Sequence, residues 1–270
     1  MYENISKHDA LKLLHSGVKS WNNWRDQHPE NYIDLSGLDL GGMDLRDALL
    51  YRTKLSDVRL DEANLSHAAV AFSDLTDASL RGVDFSHATA MDSVFEGADF
   101  TAANLSHSNL ASTNISFALL ERTQLRDASL RSAKIKHTVF RHVDCRSVRF
   151  DRAILFGVDF ENTDLSDSSF ENASVDSVNF STAELTGASF SDAQYSNTDL
   201  WPQGFAPVGA RLVKTAESNL LQVEFHPDLK TEQIVGTLGA LSDFYRACRG
   251  VGFEVDFELH RVRLQEPINV

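Results

Sequence analysis

Three histidines, His67, His87 and His107, recur every twenty residues in the stretches LSHAA, FSHAT and LSHSN. Histidine is a common metal ligand, and its charge changes near neutral pH. Three at a fixed interval raise three readings: a metal site, a pH-sensitive stack, or a surface corner repeated with the chain. A structural zinc site needs ligands that converge on a tetrahedron, and a straight column converges poorly. The surface corner requires nothing beyond the repeat itself and is the expected reading.

Other chemistry finds little support. The chain has no G-x-S-x-G nucleophile turn, no H-E-x-x-H zinc helix and no phosphate-cradling glycine loop. Serine and aspartate are so abundant that chance triads are uninformative. No catalytic residue, cofactor or metal is expected, and the chain does not read as an enzyme. Its two cysteines, Cys145 and Cys248, are far apart and form no metal or redox motif. Reduced cysteines, no apolar stretch near the N-terminus and no run near the roughly 20 apolar residues that span a bilayer point to a cytoplasmic protein without a membrane partner.

The positions that could bind a partner are set by charge and exposure. The formal net charge is −14, but it is segregated. Residues 34–119 hold 13 acidic and 5 basic side chains, and residues 156–200 hold 9 acidic and none basic. Between them, residues 120–155 hold 9 basic and 4 acidic. This basic belt is Arg122, Arg126, Arg131, Lys134, Lys136, Arg141, Arg146, Arg149 and Arg152. An apolar corner, Phe117, Leu119 and Val139 with Ile154 and Phe156 nearby, accompanies it. A second apolar edge, Tyr51, Phe72, Met91 and Val94, lies earlier. Contiguous exposed apolar residues mark a partner site, or else a terminal segment folds over them. The overall charge weighs against nucleic acid.

What positions these residues is a repeat with a step of five. From Leu35 to Leu200 all 34 positions five apart are apolar, and eighteen are Leu and nine Phe. Two residues before each centre, from Ala48 to Thr198, all 31 positions are Ala, Ser, Thr or Val, with no insertion apparent in the register. Neither an amphipathic helix nor an alternating strand has this period. It requires a chain that turns a corner every five residues, with one large and one small side chain inside and three facing water.

The pentads read ANLSH at 63–67, ADFTA at 98–102, ANLSH at 103–107 and TDLSD at 163–167. They resemble the A(D/N)LXX units of the pentapeptide-repeat family over residues 33–202. The resemblance implies an all-β fold, a right-handed four-sided β-solenoid with four pentapeptides per coil. Residues twenty apart then stack about 4.8 Å apart, and the pentads make roughly 8.5 coils. Arg146 should lie over Arg126, Arg141 over Glu121 and Asp151 over Arg131. Phe140, Phe160 and Phe180 should share one core column, and Phe150, Phe170 and Phe190 another. Cys145 becomes a buried, inert centre. Ala90, the one undersized centre, predicts a void or a shifted neighbour.

Open solenoid ends are strand edges that need covering. Residues 1–32 read as an N-terminal capping helix. Ser6 starts it with Asp9 three residues on, Leu11, Leu14, Val18 and Trp21 lie on one face, and Pro29 ends it. The solenoid is expected over 33–202. Residues 203–270 follow as a small C-terminal βαβ module, with strands at 219–225 and 253–260 and a helix over 231–248.

These features predict a non-enzymatic interaction scaffold that presents a surface to a protein partner. Its C-terminal module would dock that partner or a second copy in a homodimer. The family resemblance implies an alternative, a DNA mimic that modulates a type II topoisomerase and so inhibits or protects DNA gyrase. The acidic stretches fit that scheme and the basic belt interrupts it. A toxin-neutralising, immunity-type binder is a further reading.

Overall fold

A computed structural model describes residues 5–213 and three later strands. The chain divides into two units, Met1–Val213 and Lys214–Val270.

In the first unit every five residues make one short straight side and one turn. From Gly37 to Gly187 the residue two past each centre, Thr182 excepted, is left-handed, with φ between 51° and 74°. Asn, Asp and His tolerate that region better than other side chains, and Gly tolerates it best. That is why these slots read Asp, Gly and His so often. A positive φ at this point, with the centre's carbonyl accepting from the N–H three residues on, closes a turn of the type II kind.

One pentad, Asn64–Ala68, shows where all its backbone N–H groups go. Leu65 donates to Asp84 O at 2.6 Å and His67 to Ser86 O at 2.9 Å, both one coil ahead. Asn64 donates one coil back, to Met43 O at 2.9 Å, and Ala68 closes the turn onto Leu65 O at 3.0 Å. The remaining N–H, of Ser66, is accepted by the Asn64 side chain at 3.0 Å. The same Asx bond recurs at Asp34, Asp74, Asp84, Asp99, Asn104, Asp144 and Asp164. The Asp or Asn before the centre is therefore a backbone acceptor, which completes the accounting that a buried chain demands.

Coils stack in parallel register, residue i beside i+20. Two strands open the solenoid, β1 (Ile33–Asp34) and β2 (Thr53–Lys54). Isolated bridges then continue every pentad. Side A, the face whose centres include Ile115, Ile135 and Leu155, gathers a five-stranded parallel sheet. Its strands are β3 (Lys134–Lys136), β4 (Ile154–Phe156), β5 (Ser174–Asp176), β6 (Gln194–Tyr195) and β7 (Arg211–Leu212). Side B follows with Leu120 and Phe140, side C with Leu125 and Cys145, side D with Leu130 and Phe150.

The core is a column of buried centres. In the later coils two opposed phenylalanine stacks fill it. On side B, Phe160 and Phe180 stack at 5.2 Å; on side D, Phe150, Phe170 and Phe190 stack at 4.7 and 4.6 Å. The two stacks meet edge-on, as between Phe160 and Phe170 at 6.3 Å, an arrangement the ring quadrupole favours. Ala90 is fully buried with its ladder bond to Asn109 O intact at 2.8 Å. Phe85 and Phe95, the centres on either side of it, meet edge-on at 6.1 Å.

The N-terminal cap is two helices, not one: α1 (Lys7–His15) and α2 (Val18–Gln27). Gly17, at φ 105°, breaks them. Ser6 caps α1 by accepting from Asp9 N at 3.1 Å. Helix α2 substitutes for a missing earlier coil. Asn22 accepts from Leu49 N and donates to Asp47 O, and Trp21 Nε1 donates to Leu49 O, each at 2.9 Å. Arg25 is fully buried, donates to Asn31 O and Tyr51 O, and lies 4.2 Å from the Tyr51 ring centroid. Tyr51, one member of the earlier apolar edge, is thus covered by the cap; Phe72 and Met91 stay exposed.

The five-residue step fails near the C-terminal end of this unit. Strand β6 still pairs with β5 at twenty residues, but Asn179 pairs with Leu200 at twenty-one. An extra residue has entered. Leu200, in phase by sequence, is 56% exposed, and Trp201 takes the core place, stacked on Phe180 at 4.7 Å. Strand β7 then pairs with β6 at seventeen residues. The slip is clasped by Asp199, whose buried carboxylate accepts from Val178 N and Ser196 N, both at 2.7 Å.

In the second unit, strands β8 (Val223–Glu224), β9 (Gly252–Asp256) and β10 (Arg261–Gln265) form an antiparallel sheet in the order β8-β10-β9. This differs from two strands of a βαβ unit. Of the strand expected over 253–260, residues 253–256 lie in β9, which pairs antiparallel with β10, Asp256 beside Arg261, and residues 257–260 lie outside the described residues. The helix expected over 231–248 lies outside the described residues.

Two measurements bear on these packings. Asp199→Asn replaces one accepting oxygen by a donor, leaving a buried N–H unpaired, and should cost about 1–3 kcal/mol. Burial raises the Asp199 carboxyl to about 6 despite its two amide donors. The folded chain then holds this proton more tightly than the unfolded one, so this group's contribution to stability falls as pH rises from about 4 through 6. Urea unfolding of both chains at roughly pH 4.5 and pH 7 checks this, since the variant should lose the difference. Cys145 is fully buried, and that burial pushes its thiol well up. In a Cys248→Ser chain it should resist a thiol reagent until denaturant is added; prompt labelling would contradict its place in the core.

Candidate interaction surface

The histidine column sits at the left-handed corner after side C, with φ 60°, 58° and 59° at His67, His87 and His107. The rings stack nearly parallel, 4.9 and 4.8 Å between centroids. His107 Nδ1 lies 3.7 Å from Asp127 Oδ2 in the next coil. Parallel rings in a row do not converge on one point, and among the described residues no group of three or more His, Cys, Asp or Glu could hold a metal. The geometry fits a repeated corner whose residue type suits its backbone.

The basic belt divides into two sets. Four arginines are held by the solenoid's own acids. Arg122 Nε lies 3.9 Å from Glu121, and Arg131 Nε lies 3.6 Å from Asp151, the stacking partner expected from the register. Arg141 pairs with Glu161 one coil ahead at 2.7 Å. Arg146 turns to Asp144 on its own side at 2.5 Å and to Asp164 at 3.5 Å. That pulls its charge away from Arg126 below, and the guanidinium holds the Asp144 carboxyl below the usual carboxylate range. The second set, Arg126, Lys134, Lys136, Arg149 and Arg152, forms no ion pair among the described residues, whose pairs all fall elsewhere.

The apolar corner lies between sides A and B. Phe117 is 44% and Leu119 40% exposed. Val139, expected beside them, is only 8% exposed and does not belong to the open surface, although it stands in the column between Leu119 and Asp159. Ile154 is also open, at 50%, but it stands at the start of side A, two coils beyond Phe117 and away from this corner. Two residues that sequence reasoning did not combine join the corner. His137 stacks on Phe117 at 5.3 Å and meets Phe156 edge-on at 5.2 Å. Gly157 makes room for that ring, since a Cβ there would come 2.8 Å from His137 Nδ1. The twenty-residue spacing of Phe117, His137 and Gly157 was the available signal.

This corner adjoins the unpaired cations. Strand β3 faces Lys134 and Lys136 outward around buried Ile135, and β4 pairs with it residue for residue, Ile154 beside Lys134 and Phe156 beside Lys136. Lys136 thus stands beside the line of three rings at the A–B end of side A, with Lys134 two residues before it on the same strand. Arg126 lies on side C and Arg149 on side D, away from it.

Comparisons with known proteins agree with this outline. The family described as pentapeptide repeats matches in eight copies, over residues 32–66, 71–107, 108–144, 136–172 and 163–201. No curated protein matches the chain in sequence. Among solved structures, two trypsin-treated variants of QnrB1, a plasmid-mediated fluoroquinolone resistance protein, superpose with TM-scores of 0.60 and 0.55. Each is 18% identical; they cover 65% and 67% of this chain and 90% and 89% of their own. HetL, a pentapeptide repeat protein involved in heterocyst differentiation regulation in the cyanobacterium Nostoc sp. strain PCC 7120, is 26% identical with a TM-score of 0.31, covering 76% of this chain and 99% of its own. No described helix is long and apolar enough to cross a membrane. With its left-handed corner every five residues and its Asx acceptor before each inward leucine or phenylalanine, this chain belongs to the pentapeptide-repeat family.

Proposed function

We propose that the chain is a non-enzymatic protein-interaction scaffold. The solenoid presents a rigid surface, and the segment after Val213 docks a partner or a second copy of the chain. The observation that carries this reading is the A–B corner, where large apolar side chains stand open beside lysines that no described acid compensates. A surface built only for solvent has no use for either feature, and the same solenoid elsewhere clamps its arginines with carboxylates. Affinity capture from native lysate, with the full chain and a 1–213 truncation side by side, tests it. A partner held by both forms places recognition on the solenoid, and a partner held only by the full chain places it after Val213. Absence of any specific partner in either arm counts against the scaffold.

A second reading is modulation of a type II topoisomerase by DNA mimicry. The likeness to the QnrB1 variants in fold and the acidic stretches 34–119 and 156–200 favour it. The belt between those stretches breaks the continuous negative rod that a duplex mimic needs. On this account the protein should leave gyrase supercoiling, and its inhibition by a quinolone, unchanged at micromolar concentration. A dose-dependent change in either assay would move the topoisomerase reading to first place.

A further inference from the structure

The A–B corner departs from the rule that builds the rest of the solenoid. The residue before each centre is an Asx acceptor for the backbone along most of side C. On the two sides that meet here those positions are Lys134 and Ile154 on side A and Leu119 and Val139 on side B, whose side chains can accept nothing from the chain. One apolar residue at such a position in the early coils, Leu49, has Trp21 and Asn22 of α2 bonded to its backbone. These positions therefore lack the side-chain acceptor used elsewhere, and Leu119 and Ile154 stand open there.

Its charge defines what can sit there. Lys134 and Lys136 point the same way from one strand, so they stand about 6.6 Å apart. Arg152 lies on the next coil, two residues before Ile154. In the Lys136 column the positive charge is one coil deep. Below Lys136 in its column come Ser116 and then Glu96, and above it Phe156 is followed by Asp176. A nucleic-acid strand needs a track of successive cations, and here it would meet carboxylates on both sides. Two carboxylates two residues apart on an extended chain have the spacing of the two lysines.

We infer that this corner docks an acidic, apolar-anchored segment of a partner protein, with carboxylates on Lys134 and Lys136 and an apolar side chain seated against Phe117 and Leu119. The inference rests on the scaffold reading and supplies the partner's chemistry. The carboxylates steer and orient, and the apolar anchor, closed off from water, holds.

Fluorescence anisotropy on the full-length chain tests it with three labelled probes: a short peptide alternating Glu with Phe and Leu, its counterpart with Lys for every Glu, and an oligothymidine. The acidic peptide should bind and weaken with added salt. Lys134→Glu with Lys136→Glu, and separately Phe117→Ser with Leu119→Ser, should each weaken it by roughly tenfold or more. Arg122→Glu with Arg126→Glu, the same change of charge away from this edge, should alter it by less than about twofold. Circular dichroism verifies each fold; if the glutamates disturb side A, Lys134→Ala with Lys136→Ala carries the test. The inference is overturned if the acidic peptide does not bind, if the distant pair weakens it equally, or if the basic peptide or oligothymidine binds as well. A lysate partner that none of the corner variants releases would also overturn it while leaving the scaffold standing. Corner-dependent peptide binding with no captured partner would support the docking chemistry and remove the scaffold reading alone.

Discussion

Everything in this solenoid depends on one backbone event repeated every five residues, a single residue held at positive φ. That residue turns the chain through a corner and lines up the N–H and carbonyl groups of each straight side with those of the coils before and after. Because hydrogen bonds run between coils, no side is stable by itself, and each coil is held by its neighbours. The rule dictates which slots are free. A centre must be large and apolar, the residue two before it small, the corner tolerant of the left-handed region, and the residue before the centre an acceptor where possible. What remains is a set of vertical columns on four outer sides, and the protein's individuality resides there.

Those columns explain why charge in this chain is local. Arginines near a carboxylate take it, whether in their own side, as Arg146 with Asp144, or one coil ahead, as Arg141 with Glu161. Exposed pairs of this kind add little to stability, but they neutralise most of the belt's guanidinium groups in place. The result is a surface whose formal charge map exaggerates its positive area. The uncompensated part narrows to a few side chains, and the two lysines of β3 stand where the apolar corner opens.

The five-residue step could be read from the residues because a centre buried on every side admits only apolar types, so the pattern is nearly free of noise. Core columns, the burial of Cys145 and the stacking of His67, His87 and His107 emerge by counting in twenties. The departures come where counting stops being informative. Leu200 keeps the phase in sequence, yet the larger Trp201 offers the better stacking partner for Phe180, and packing chose it. Gly17 sits inside a helical pattern that residue spacing alone does not interrupt. Register tells which residues share a column but not which neighbour a flexible guanidinium selects, so the pairings of Arg141 and Arg146 needed coordinates. Val139 is outward by register yet nearly buried, and His137 joins the corner only through the space left by Gly157.

The slip around Asp199 bears on how such a chain can change its length. Upstream of it, every coil is interchangeable in phase, so a duplication or loss of twenty residues leaves all later columns where they were. After it, pairings fall at twenty-one and then seventeen residues, and no whole-coil insertion fits. The rod is therefore extensible in its middle and of fixed construction at this end. In a lineage of relatives, coil number could drift while the terminal clasp and the residues C-terminal to it travelled as a unit.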